Sequence, residues 1–105
     1  KMQLPTIIFD EIDTGVSGDI AYKVGELLHN LSQKHQLIAI THLPQIASKG
    51  NHHLFVFKET KDKKTKTNIK ILEQEERKIE IAKMLSGERI SDAALINAHE
   101  LLNAK

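Results

Sequence analysis

The stretch Thr6-Ile7-Ile8-Phe9-Asp10-Glu11 decides the fold of this chain. Its first four residues form a continuous β-favouring run, and two adjacent acids end it. A run of this kind, apolar without alternation, is typical of a strand buried on both faces of a parallel sheet. We therefore predict a buried strand that delivers the carboxylates of Asp10 and Glu11 to one edge of a sheet.

A second apolar run, Leu37–Ile40, ends at Thr41 and His42. Between the two runs, apolar residues recur at helical spacing over about residues 19–34, which predicts an amphipathic helix. Two buried strands joined by a helix form a βαβ unit, whose strands are parallel. The sequence therefore predicts that the acids of the first strand and His42 lie at the same sheet edge, where open α/β folds bind ligands.

The rest of the chain predicts a helical turn, a hairpin and two helices. These elements cover residues 45–48, strands 54–57 and 68–72 around a polar turn at 58–66, and helices 75–85 and 91–103. The predicted fold class is therefore α/β, with a parallel βαβ core followed by a hairpin and two C-terminal helices.

The composition limits the classes of function. The chain has 105 residues with a net charge of +1, which fits one globular domain and offers no global charge that would attract nucleic acid or a membrane. Cysteine is absent, which excludes disulfides and thiolate metal sites. No apolar run is long enough to span a bilayer, so we predict a cytoplasmic protein without a membrane partner. The first residue is Lys1 rather than Met, which suggests a piece of a longer protein.

An apolar strand ending in two carboxylates has the layout of a Walker B motif. The first, Asp10, can hold Mg²⁺, because this ion takes oxygen ligands and usually few of them from protein. The second, Glu11, can orient or deprotonate a water that attacks a phosphoryl group. His42 can donate a hydrogen bond to a terminal phosphate. The alternative interpretation makes the acids helix caps and His42 an exposed or capping side chain.

The loop that follows the acids carries two glycines, which allow close approach of the backbone to a ligand or partner. The stretch 5–18, followed by Ile40-Thr41-His42-Leu43-Pro44-Gln45-Ile46-Ala47, closely resembles the C-terminal end of the RecN family. This family comprises bacterial DNA repair ATPases of the SMC-like branch of the ABC ATPases. The resemblance covers essentially the whole chain. It implies that residues 1–105 are the C-terminal lobe of an ABC-type ATPase head.

The resemblance also implies a role for each site residue. Asp10 would be the Walker B metal ligand, Glu11 the catalytic glutamate and His42 the switch histidine that senses the γ-phosphate. The D-loop, at the interface of an ATP-sandwiched homodimer of heads, would contain Asp13, Gly15, Ser17 and Gly18. The implied cofactors are ATP and Mg²⁺, and the implied partners are a second head and DNA. The implied process is double-strand break repair and recombination, in the bacterial cytoplasm at the nucleoid.

The phosphate-binding loop Gly-x-x-x-x-Gly-Lys-[Ser/Thr] does not occur in the sequence. In the family it lies far upstream, before a long coiled coil, and the ABC signature lies shortly before Walker B. We therefore expect ATP hydrolysis by the full-length protein and none by this chain alone. Residues 85–89 (Leu-Ser-Gly-Glu-Arg) look like a signature but follow the switch histidine and lack the second glycine, so we interpret them as a helix stop at Gly87.

Lysines crowd the predicted hairpin, offset only by Glu59 and Asp62. They are Lys58, Lys61, Lys63, Lys64, Lys66 and Lys70. Four of them, Lys61, Lys63, Lys64 and Lys66, could contact DNA phosphates, which would make the chain a small DNA-binding module. The competing interpretation is a solvated tip whose lysines protect an edge strand, and the lack of an interleaved aromatic residue favours it. A plain interaction domain is a third hypothesis.

Overall fold

The computed structural model describes residues 6–10 and 18–104, which contain four strands and four helices. In chain order they are β1 (Ile7–Asp10), α1 (Gly18–Leu31), β2 (Leu37–Ile40), α2 (Pro44–Ala47), β3 (Leu54–Lys61), β4 (Lys64–Ile71), α3 (Gln74–Ser86) and α4 (Asp92–Asn103). β1 pairs with β2 in parallel, and β3 pairs with β4 antiparallel. Within the described ranges the two pairs form separate two-stranded sheets.

The βαβ unit is confirmed. β1 and β2 run in parallel with Ile7 opposite Leu37 and Asp10 opposite Ile40, and α1 connects them. The helix ends at Leu31, three residues before the predicted end. Ser32 explains the early end, because its hydroxyl donates a 2.6 Å hydrogen bond to the His29 carbonyl and so favours a turn over another helical residue.

The predicted burial of β1 and β2 on both faces is wrong for this chain. Ile8 is 62 % exposed and Ile40 is 54 % exposed, and Phe9 and Ile38 are also open to solvent. A sheet of two strands cannot bury both of its faces without layers packed on each side. The apolar pattern of these strands therefore indicates packing partners that the described residues do not supply.

The predicted polar turn at 58–66 is also wrong, because both strands continue through it. β3 runs to Lys61 and β4 begins at Lys64, leaving only Asp62 and Lys63 as the turn. Their φ angles are 54° and 65°, the left-handed values that a two-residue type I′ hairpin turn requires. The hydroxyls of Thr60 and Thr65 lie 3.3 Å apart across the strands and add a cross-strand hydrogen bond.

The buried core lies between α3 and α4. It consists of Ile81, Ala82, Ala94, Ala98 and Leu102. Three alanines in this set let the two helices approach closely. The caps set the ends of both helices: Glu73 and Glu76 form a reciprocal capping box at the start of α3, and the Ser91 hydroxyl accepts from the Ala94 amide at the start of α4.

The interpretation of residues 85–89 as a helix stop is confirmed. Gly87 ends α3 with a φ of 83°, and its amide donates a 2.7 Å hydrogen bond to the Lys83 carbonyl. None of the described helices is long and apolar enough to cross a bilayer.

Candidate functional site

The carboxyl ends of β1 and β2 form one edge of the parallel sheet. Asp10 is the last residue of β1 and lies opposite Ile40, the last residue of β2. His42 follows two residues later. Both Asp10 and His42 are exposed. The structure therefore brings two of the predicted site residues to the same edge, open to a ligand.

The other predicted residues of this edge fall between β1 and α1. Glu11, Asp13, Gly15 and Ser17 lie outside the described residues. Gly18 is described and is the first residue of α1. The D-loop proposed from the sequence thus ends where this helix begins.

Local hydrogen bonds fold the backbone around His42 into a compact turn. The Thr41 hydroxyl accepts from the Leu43 amide at 2.9 Å. The Leu43 carbonyl in turn accepts from the amides of Ile46 and Ala47 at 3.0 and 2.9 Å, which starts α2. Thr41 and Leu43 flank His42 and are bonded to each other, and Leu43 is bonded to α2. The position of the His42 backbone therefore depends on the position of α2.

Gln45 of α2 packs against α1, a contact that the sequence reasoning missed. A Cβ at Gly25 would lie only 2.7 Å from the Gln45 carbonyl oxygen, and one at Gly18 would lie 3.5 Å from its Nε2. The backbones therefore approach as closely as glycine allows. The signal was present in the sequence, since a glycine inside a helix costs about 1 kcal/mol relative to alanine and implies a packing reason.

Two buried cations lie at the C-terminal end of α2. Arg77 is 3 % exposed, and its Nη2 donates to the carbonyls of Ala47 and Ser48 at 3.2 and 3.4 Å. Lys49 is 6 % exposed, and its Nζ donates to the Ala104 carbonyl at 2.9 Å. Burial lowers the pKa of the Arg77 guanidinium from a value far above neutrality. Both cations are thus stabilised by carbonyl dipoles near the ends of helices.

The donor set at the sheet edge suits Mg²⁺ shared with a nucleotide. No group of three metal-ligating side chains occurs within residues 6–10 and 18–104. Asp10 supplies an exposed carboxylate, and Mg²⁺ at phosphate sites typically takes one or two carboxylates together with water and phosphate oxygens. The residues present fit this mode of binding rather than a cage made wholly of protein.

An exposed histidine, His52, directly precedes the half-buried His53. The imidazole of His53 is half-buried beside α3, and its pKa is lowered first by burial and then by the positive charge of Arg77. A neutral ring is therefore favoured there.

The two faces of the hairpin carry different lysines. Lys61 lies directly opposite Lys64, and Lys66 lies opposite Glu59, so these three lysines share the face that packs against α3. Lys58 lies on the other face, opposite Thr67. All residues from 58 to 67 are exposed. The tip is therefore solvated on both faces.

Comparison with known proteins finds similarity to RecN proteins of several bacteria. No protein-family model matches the chain. The DNA repair protein RecN of Vibrio cholerae is 48 % identical over 104 residues, which cover 99 % of this chain and 19 % of that protein. This chain matches a C-terminal part of RecN. RecN of Rickettsia conorii is 50 % identical over 103 residues, or 98 % of the chain and 19 % of that protein. RecN of Bacillus subtilis is 42 % identical over 102 residues, or 97 % and 18 %.

The chain thus spans less than a fifth of the length of these RecN relatives. A solved structure from work on ATP-driven dimerisation and DNA-stimulated activation of SMC ATPases is also similar, with a TM-score of 0.55 and 22 % identity. It covers 70 % of this chain, and the chain covers 43 % of it. This likeness confirms the α/β class of the fold.

Proposed function

We propose that this chain is the C-terminal lobe of the ATPase head of a RecN-like DNA repair protein. The observation that carries the proposal is the register of the parallel pair, which sets Asp10 opposite Ile40, the residue two positions before His42. Similarity to RecN along almost the whole chain supports it. In this proposal the full-length protein hydrolyses ATP in the bacterial cytoplasm, at the nucleoid, during double-strand break repair and recombination.

Each residue of the edge has a distinct task in the proposed reaction. The Asp10 carboxylate holds Mg²⁺, directly or through water, and the ion when bound would neutralise charge on the phosphates. Glu11 accepts the proton of the attacking water or orients it. His42 donates a hydrogen bond to the γ-phosphate. The rate then depends on positioning and charge stabilisation rather than on covalent chemistry with the protein.

The site is completed by parts of the protein beyond these residues. An upstream lobe supplies the phosphate-binding loop, and the signature of a second head closes over the nucleotide. The D-loop residues Asp13, Gly15, Ser17 and Gly18 lie at that homodimer interface. Exposed apolar side chains on β1 and β2, such as Ile8 and Ile40, support the proposal because they need a covering layer.

The role of Asp10 is tested by Asp10→Asn in the full-length protein. We expect Mg²⁺-dependent ATP binding to weaken by about tenfold or more, because an amide lacks the charge that attracts the cation. ATP binding measured in EDTA should change little and serves as the control. Equal loss with and without Mg²⁺ would contradict the metal-ligand role.

Reversal of Lys61, Lys63, Lys64 and Lys66 to Glu tests the hairpin as a DNA contact. We expect folding and ATP turnover without DNA to be preserved, since exposed substitutions usually change stability by less than about 0.5 kcal/mol each. We also expect little change in the affinity of the full-length protein for duplex DNA. A large loss of affinity at low salt, with a shallower salt dependence, would instead establish the hairpin as a phosphate contact.

A further inference from the structure

Arg77 is a buried cation whose partners are carbonyl groups. The residue is 3 % exposed, and no carboxylate lies within ion-pair distance of its guanidinium in the part of the chain that the structure describes. Its Nη2 instead serves the carbonyls of Ala47 and Ser48, at the end of α2, and its buried Nε has no partner among the same residues. Ser48 is itself fully buried. The contact joins residues about 30 positions apart in the chain.

This arrangement is costly as a means of stability alone. A buried charge without a counter-ion loses its hydration, and helix-end carbonyl dipoles return only part of that loss. Even buried ion pairs can often be replaced by apolar side chains of similar volume without loss of stability. What Arg77 does provide is a set of directional hydrogen bonds that join α3 to the end of α2.

Helix α2 needs such external links, because it is a single turn. Isolated helices of this length are unstable in water, and Leu43 at its N-terminus provides no side-chain cap. On one side, Gly25 of α1 meets the Gln45 carbonyl. Next to the helix, Lys49 stands 4.4 Å from the centre of the Tyr22 ring and bonds the Ala104 carbonyl. Arg77 of α3 bonds the carbonyls at the C-terminal end of the helix.

We propose that Arg77 is a positioning residue for His42. It fixes α2 against the C-terminal helices, and α2 fixes the turn in which Leu43 is bonded to the Thr41 hydroxyl, with His42 between them. The inference rests on the proposed role of His42 in ATP hydrolysis. The C-terminal helices then contribute to catalysis by holding the switch histidine, without touching the nucleotide.

The test compares Arg77→Met and Arg77→Lys in the full-length protein. We expect Arg77→Met to lower kcat at saturating ATP by about tenfold, since small misplacements of catalytic groups cost up to about 10²-fold. Arg77→Lys should restore most of the rate, because an ammonium can serve helix-end carbonyls, as Lys49 does in this fold. Hydrogen exchange of the amides at 43–50 should rise in Arg77→Met and less in Arg77→Lys. Should the Met variant fail to fold, the Lys variant still tests the proposal, because a parent-like kcat with clearly raised exchange at 43–50, or the reverse, would overturn it.

A matched control separates positioning from general destabilisation. Ile81→Val, four residues along α3 in the fully buried core, weakens the same helix but leaves the Arg77 side chain and its bonds to the end of α2 in place. It should leave kcat of the folded protein within about twofold of the parent and leave exchange at 43–50 unchanged. A loss of rate equal to that of Arg77→Met would overturn the proposal.

A double-mutant cycle with His42→Ala supplies the decisive comparison. If Arg77 acts through His42, Arg77→Met should lower kcat in the parent but not further in the His42→Ala background. The same factor in both backgrounds would refute the positioning role while leaving the role of His42 intact. An unchanged kcat in His42→Ala alone would refute the proposed role of His42, and the positioning role with it.

Discussion

Glu11→Gln in the full-length protein is expected to abolish nearly all ATP hydrolysis while preserving ATP binding. The amide keeps the shape of the side chain but cannot accept a proton or polarise water as a carboxylate does. Loss of a general base typically costs about 10²–10⁴ in rate. Turnover should be measured with ATP and Mg²⁺ in excess, beside equilibrium ATP binding.

Glu11→Gln is also expected to preserve ATP-dependent association of heads, because bound ATP persists between them. The matched control is Glu59→Gln, which makes the same substitution at an exposed position on the hairpin, far along the chain from the sheet edge. It should leave turnover unchanged. If Glu11→Gln hydrolysed ATP at the parent rate, Glu11 would have no catalytic role.

The isolated 105-residue chain is expected to self-associate. The hairpin presents an apolar face made by two directly opposed pairs. These are Leu54 with Ile71 and Val56 with Ile69, each residue between 53 % and 67 % exposed. The β1–β2 sheet adds further exposed apolar side chains. Contiguous apolar surface and open strand edges both favour pairing of one copy with another.

Light scattering across a concentration series measures this association. A double variant, Val56→Lys with Ile69→Glu, places opposite charges across the strands and should lower the average mass by at least about twofold at equal concentration. Thr67→Glu, the control, creates an opposed pair with Lys58 on the same face beyond the apolar cluster and should have little effect. A strictly monomeric parent chain would show that the C-terminal lobe closes its own core.

The parallel core and the two final helices could be predicted from the sequence. β2 has the predicted limits, and α4 covers the predicted range from its second residue onwards. Burial of the first strands was not predictable from this chain alone, because an apolar pattern records the surroundings in the whole protein. Ile8 therefore reads as core although it is 62 % exposed here.

The length of the hairpin was missed for a local reason. Alternating lysine and threonine on β4 resembles a turn in composition, although threonine favours strands and both faces of the tip are solvated. Asp62 and Lys63 also adopt left-handed φ angles without the glycine that usually marks such a turn.

The site was only partly predictable. Asp10 and His42 follow from strand ends, because the ends of parallel strands share an edge. The link through Arg77 depends on tertiary packing. The sequence gives one signal for this link. Arg77 lies four residues before the fully buried Ile81, a spacing that places its charged side chain on the core-facing stripe of α3.

The edge carrying Asp10 and His42 is proposed as one part of a composite ATPase site. Its most direct test is ATP turnover by the isolated chain, measured beside the full-length protein and with the Glu11→Gln variant of each as background. We expect turnover by the full-length protein alone, because the isolated chain has no phosphate-binding loop to hold the β- and γ-phosphates. ATP turnover by the isolated chain, lost on Glu11→Gln, would contradict the composite site.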